Sequence, residues 1–317
     1  MNNNTGAKTR SFLGEFVLIA ITILWGCTFV IVKKALQDVS PTLYVAVRFT
    51  IALLFLLPVY LWKRDRKEKF ISWQGAFLGL WLFLGFVTQT VGLRLTTATK
   101  SGFITGTFVL FIPFFQIFIE KKKPARGTII GIFFVLIGLL FLSSSGNSIW
   151  DFIVSLGNDF NFGDFLTLLC AVFFAVQVVF IDKYSKEHSV LNLLFSQLLT
   201  VSVLSFISVF LFDAASLEAI KWEFNGYILF SLLFTALIAT LINIGLQTRF
   251  QKSVSPSKAG IIYSFEPLFS ALLAFFILNE KIGNFGYIGS ILIFAGLIIA
   301  EVYDNLFNKN GKGFSKR

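Results

Sequence analysis

The sequence predicts an all-α integral membrane protein: ten transmembrane helices in two inverted five-helix repeats, with both termini cytoplasmic. Three observations carry this expectation. The 317-residue chain is 56% hydrophobic and only 14% charged, with mean hydropathy +0.80, whereas soluble domains hold roughly 45–50% apolar and 25% charged residues. Ten apolar runs approach the roughly 20 residues that a spanning helix needs. Basic residues crowd onto alternate connections between those runs.

The runs follow in order. The first, 14–33, comes after Lys8 and Arg10 as in a secretory leader. It is long, however, and from Phe16 to Val32 it ends without a small-x-small cleavage pattern, so it is expected to stay as a helix. Runs 41–62, 73–93, 100–119 and 127–143 complete a first unit, 14–143. The connection 144–161 is expected on the outer face. It has no Lys or Arg, and Trp150, Ile153 and Leu156 recur at helical spacing, as in a short helix on the bilayer surface. Runs 162–181, 190–212, 226–248, 257–278 and 284–303 form the second unit, 162–303. Together the runs use most of the chain, so no separate soluble domain fits.

The formal net charge of +10 is read as topology, not as nucleic-acid binding. With the N-terminus inside, one face holds Lys8, Arg10, "KRDRKEK" (63–69), "EKKKPAR" (120–126), Lys183, Lys186, Arg249, Lys252, Lys258 and the C-terminal tail. Those segments carry twenty Lys/Arg. The other face has six: Lys33, Lys34, Arg94, Lys100, Lys221 and Lys281. Positive loops stay cytoplasmic. The expected location is the bacterial inner (cytoplasmic) membrane, with the lipid bilayer and a small-molecule substrate as partners.

The chain also matches itself. An offset of 158 lays residues 100–141 on 258–299, pairing Lys100 with Lys258, Gly102 with Gly260, Phe111 with Phe269, Gly131 with Gly289 and Gly138 with Gly296. An offset of 149 lays the first two runs on the sixth and seventh, so Trp25 meets Phe174, Thr28 meets Gln177 and Arg48 meets Gln197. Five spans per repeat is odd, so the halves are inverted. Such repeats place a substrate site near the midplane and let one half rock on the other.

Glu266 lies near the middle of the ninth run. A central charge costs roughly 2.5–3.5 kcal/mol on insertion scales, so it should face the interior. Three roles fit it: contact with a substrate ammonium, uptake and release of a proton, or a structural acceptor beside the interruption that Pro267 makes. Arg48 sits about seven residues inside its run. It either snorkels to the interface or points inward, to Glu266 or a substrate carboxylate. Thr28, Gln89, Thr105, Gln177, Gln197, Asn243 and Tyr263 lie at moderate depth, where polar groups line cavities or join helices. Trp25, Trp81 and Tyr263 are candidates for an aromatic wall or for packing. Gly102/Gly106, Gly127/Gly131, Gly131/Gly138 and Gly289/Gly296 each share one helix face, as at close helix contacts.

Several stretches carry a resemblance: "LWGCTFVIVKKAL", "VRFTIALLFLLP", "TQTVGLRLTTATKSGFITG", "LQTRFQKSVSPSKAGIIYSFEPLFSALLAFFILNEKIG" and "GYIGSILIFAGLIIAE". Over about 14–303 the chain resembles the drug/metabolite transporter superfamily, in its EamA-type branch. The resemblance implies transport, often export, of amino acids or related metabolites. It marks Glu266-Pro267 as a recurring element, which strengthens the structural role. It also makes the third, fourth, eighth and ninth spans cavity-lining, favouring Gln89, Thr105, Asn243 and Tyr263.

Other classes have little support. Cys27 and Cys170 are far apart inside runs and read as core thiols. The single His188 is in a loop, so a metal or acid–base enzyme centre lacks material. No phosphate loop suggests ATP hydrolysis, no cofactor or ATPase partner is called for, and no filter loop suggests a channel. An uncoupled facilitator of a different solute, such as a sugar derivative or drug-like compound, is the closest alternative to a coupled carrier.

Overall fold

The computed structural model describes residues 3–65, 67–121, 124, 126–143, 161–279 and 284–307. The expected surface helix around Trp150, Ile153 and Leu156 lies outside these residues, as does Lys281. Among the described residues the chain is helical without strands; one isolated bridge pairs Val39 with Trp222.

The first half contains α1 (Asn3–Ala35), α2 (Pro41–Lys63), α3 (Trp73–Leu95), α4 (Ala98–Gly106), α5 (Phe108–Glu120) and α6 (Arg126–Ser143). The second contains α7 (Phe162–Tyr184), α8 (Val190–Ala214), α9 (Gly226–Leu233), α10 (Asn243–Phe250), α11 (Pro256–Tyr263), α12 (Glu266–Leu278) and α13 (Asn284–Phe307). A π-helical segment, Phe234–Ile242, joins α9 to α10. Among the described residues, eight helices are long and apolar enough to cross a membrane, with α4 and α5 counted as one, as are α9 with α10 and α11 with α12. Two shorter apolar stretches, Arg126–Gly138 and Tyr287–Gly296, fall at the fifth and tenth predicted runs.

Side chains start these helices where a chain in lipid must satisfy its free N–H groups internally. Ser72 accepts from the Gly75 N–H, Ser189 from Asn192 and Asn225 from Ile228. Asn161 and Asp164 form a reciprocal capping box at α7. Large apolar side chains such as Phe12, Leu54, Trp62, Phe118, Phe133, Phe210 and Phe276 face outward; in a bilayer these are the acyl-chain contacts. Polar residues collect inside instead: Thr105, Ser196, Thr235, Asn243, Thr248 and Ser264 are all buried.

Two predicted runs are not continuous helices. The fourth divides at Thr107, whose hydroxyl turns back to the Ile104 carbonyl at 2.6 Å. The ninth divides at Ser264-Phe265. Pro267 has no N–H to continue the ladder, and the bonds tighten: Phe265 N–H reaches Ile262 O at 3.2 Å and Leu268 N–H reaches Phe265 O at 3.0 Å. The breaks obey the offset of 158, since Thr107 corresponds to Phe265. So do the starts, where Thr97 accepts from Lys100 N–H and Ser255 from Lys258 N–H. So do the ends, where Lys121 and Asn279 both turn left-handed, with φ of 56° and 55°.

The glycine faces are contact surfaces. α6 packs most extensively against α13. A Cβ on Gly138 would lie 2.7 Å from the Gly289 carbonyl, and one on Gly296 would lie 2.6 Å from the Gly131 carbonyl. Gly102 of α4 rests on Ser270 of α12.

Candidate functional site

The centre of the molecule is organised by α1 and the break between α11 and α12. α1 runs from one end of the bundle to the other. Glu15, near the start of its apolar span Phe12–Ala35, meets Lys258 at 2.7 Å. Lys33 near its end donates to the carbonyls of Leu93, Arg94 and Thr96 at 2.9, 3.1 and 2.6 Å. At 1.5 Å per residue these contacts are about 27 Å apart. Gly26 lies between them and allows the break to approach. A Cβ there would come within 2.6 Å of Phe269 Cβ and 2.9 Å of the Glu266 carbonyl oxygen.

Glu266 is therefore not in mid-helix, as the sequence suggested, but at the first position of α12, at central depth. It is half-buried. Its electrostatic neighbours include Cys170 and Tyr263. Among the described residues, no donor is hydrogen-bonded to its carboxylate. Tyr263 is buried, its ring edge-on to Trp25 with centroids 5.6 Å apart. Its hydroxyl donates to Gln251 Oε1 at 3.1 Å, with Gln247 nearby.

The π segment meets α1 through a reciprocal pair. The Trp25 indole N–H donates to Ala239 O at 2.9 Å, and Asn243 Nδ2 donates to Ile21 O at 3.1 Å. Asn243 Oδ1 is buried with no partner among the described residues. On the opposite flank, Gln89 donates to Thr105 Oγ1 at 3.3 Å, and Thr105 lies beside the Cys170 thiol. Trp25, Tyr263, Glu266, Thr105 and Gln89 thus form one neighbourhood, reached through Cys170, with Asn243 one turn of α1 away.

Other sequence candidates lie apart. Arg48 points inward, not to the interface, but it does not pair with Glu266. Its Nε donates to Thr240 Oγ1 at 2.7 Å, its guanidinium lies 4.7 Å from the Phe86 ring centroid, and Nη2 is buried without a partner among the described residues. Thr28 spends its hydroxyl on the Trp25 carbonyl at 2.7 Å. Trp81 packs on Phe77 and Phe173. Gln177 is buried, as is Gln197, whose Nε2 turns to its own helix at Leu193 O, 3.3 Å. Cys27 and Cys170 are free thiols, and the described residues contain no metal-binding cluster.

Cys170 was read from the sequence only as a core thiol; Gln247 and Gln251 were not singled out, and neither were two acids. Asp164 pairs with Lys100 at 2.7 Å, as Glu15 does with Lys258. A signal existed: "GEF" at 14–16 and "GDF" at 163–165 coincide under the offset of 149.

A family model described as the EamA-like transporter family matches residues 12–144 and again 161–301. The chain belongs to this family. Among relatives of the EamA-like chain, an uncharacterized transporter of Archaeoglobus fulgidus is 34% identical over 293 residues, covering 92% of this chain and 87% of that one. The uncharacterized transporter YoaV of Bacillus subtilis is 22% identical over 287 residues, covering 89% and 94%. A solved crystal structure superposes with TM-score 0.71 at 18% identity, covering 94% of this chain and 98% of its own; at that identity the likeness is one of fold. Membrane transport is thus the activity that both the family and its named members support.

Proposed function

We propose that this EamA-like protein is a secondary transporter of small metabolites, amino acids or related compounds, and that it exports them across the cytoplasmic membrane by alternating access. Two inverted five-helix halves, with both termini inside, enclose a central site. The single observation that carries this reading is Glu266: an acid at central depth, half-buried, beside an aromatic pair, with no described hydrogen-bond donor on its carboxylate. A structural acceptor would be expected to hold such a bond, whereas this half-buried carboxylate is left open. An acid that exchanges partners during a cycle, either a substrate ammonium or a proton, has reason to lack one. The shared offsets of helix starts, breaks and ends support the two-half arrangement.

The test is a reconstituted one. Proteoliposomes preloaded with a radiolabelled amino-acid mixture should exchange label with external solute without ATP, and Glu266→Gln should lower that exchange more than it lowers the yield of folded protein. Imposing a pH gradient separates a proton-coupled carrier, whose flux follows the gradient, from an uncoupled facilitator, whose flux ignores it. Full exchange by Glu266→Gln at every pH would remove Glu266 from the mechanism.

A further inference from the structure

The two ion pairs repeat each other with their halves exchanged. Lys100, in the first turn of α4, pairs with Asp164, in the first turn of α7. Lys258, in the first turn of α11, pairs with Glu15, in the first turn of the apolar span of α1, Phe12–Ala35. The lysines are related by the offset of 158 and the acids by 149. Each pair therefore ties the fourth span of one half, or its counterpart, to the first span of the other. Both bonds are 2.7 Å, and the lysines are similarly exposed, at 27% and 28%. The pairs sit at opposite ends of the bundle: Glu15 is at one end of the apolar span of α1, and Lys33 at the other end reaches the α3–α4 connection that leads to Lys100.

We infer that Lys100–Asp164 and Lys258–Glu15 are the two end locks of the transport cycle, released one at a time; the inference rests on the alternating-access reading above. A brace for a static fold has no need of a copy at the far end with the partners swapped between halves. A device that must close either end in turn does. The physical cost fits that role. Asp164 is fully buried and tolerates its charge only while paired, so parting from Lys100 requires water to enter at that end, which is what opening supplies. Asp164 also accepts from the Thr96 hydroxyl at 2.7 Å and the Asn161 N–H at 2.9 Å.

Spin-label distances across each end test this on the full chain in liposomes. Genetically encoded labels leave Cys27 and Cys170 untouched. Arg94 and Phe162 flank the first lock, and Lys252 and Leu13, their offset counterparts, flank the second; all four are exposed. Lys100→Gln should raise the open population at the first end at least about fivefold, the upper range for a solvent-exposed pair, because Asp164 is buried, and leave the second end closed. Lys258→Gln should do the reverse. If either variant fails to fold, the exchanged pair Glu15→Lys with Lys258→Glu should close the second end again relative to either single change. The locks are overturned if neither glutamine variant moves its own distance while the wild type still switches ends. If both ends open together in the wild type, alternating access itself fails.

Discussion

Replacing Gly26 by alanine drives a methyl group into the start of α12. The added carbon would lie 2.6 Å from Phe269 Cβ and 2.9 Å from the Glu266 carbonyl, with Ser270 N at 3.2 Å. Ordinary carbon contacts are about 3.5–4.0 Å, so α1 and α12 must part by about 1 Å. Two of the three neighbours are backbone atoms, which no rotamer change can move. Overpacking of this kind costs about 1–3 kcal/mol, and alanine returns about 1 kcal/mol through its better helix propensity. The net loss is about 1 kcal/mol, or about 2–4 °C in melting temperature. Gly226→Ala is the control. It opens α9, and nothing lies within 4 Å of its Cβ position, so it should melt at or above wild type. Both are measured as purified protein in detergent by intrinsic tryptophan fluorescence. Because the displaced atoms carry Glu266, Gly26→Ala should also slow solute exchange in proteoliposomes. A Gly26→Ala protein that melts no lower than Gly226→Ala would refute the close approach and, with it, the placement of Glu266 against α1.

Further outcomes follow from single contacts. Thr240→Val leaves the Arg48 Nε buried without its 2.7 Å acceptor and should cost about 1.5–3 kcal/mol, the range for bonds to charged groups, read as a lowered melting temperature; Thr240→Ser should restore most of it. Trp25→Phe keeps an aromatic ring against Tyr263 but loses the bond to Ala239 O, for about 1 kcal/mol in the same assay. Gly296→Leu meets the Gly131 carbonyl and Phe134 Cβ and should separate α13 from α6, seen as aggregation on size-exclusion chromatography where Gly226→Leu stays monodisperse.

Composition and run length made the helical membrane class legible, because those signals sum over the whole chain. Individual turns were harder. The divided ninth span has a visible cause in Pro267, but the fourth divides at Thr107 with no proline at the break, six residues before Pro113. The π segment Phe234–Ile242 has no sequence signal at all: its extra residue is held by partners on other helices, Trp25 on Ala239 and Arg48 on Thr240. Glu266, Tyr263, Thr105 and Gln89 stood out because polar groups are rare in apolar runs. Arg48 stood out for the same reason, yet its neighbour could not be read, since the choice between Thr240 and Glu266 depends on helix rotation. Lys100 and Lys258 were seen as charges on one face or the other and as counterparts in the repeat, but without their acidic partners. Counting charge by side of the membrane hides the partner of each one.

The divided helices set how force passes through the molecule. A continuous helix is a rod, and a push at one tip displaces the other. In α4–α5 and α11–α12 the ladder of backbone bonds is interrupted halfway, so each segment can tilt while its continuation keeps its neighbours. α12 is seated on Gly26 and Gly102, whereas α11 carries Lys258. With the same joint at Thr107, each half of the protein has an articulated lever whose fulcrum is at central depth, where Glu266 begins its helix.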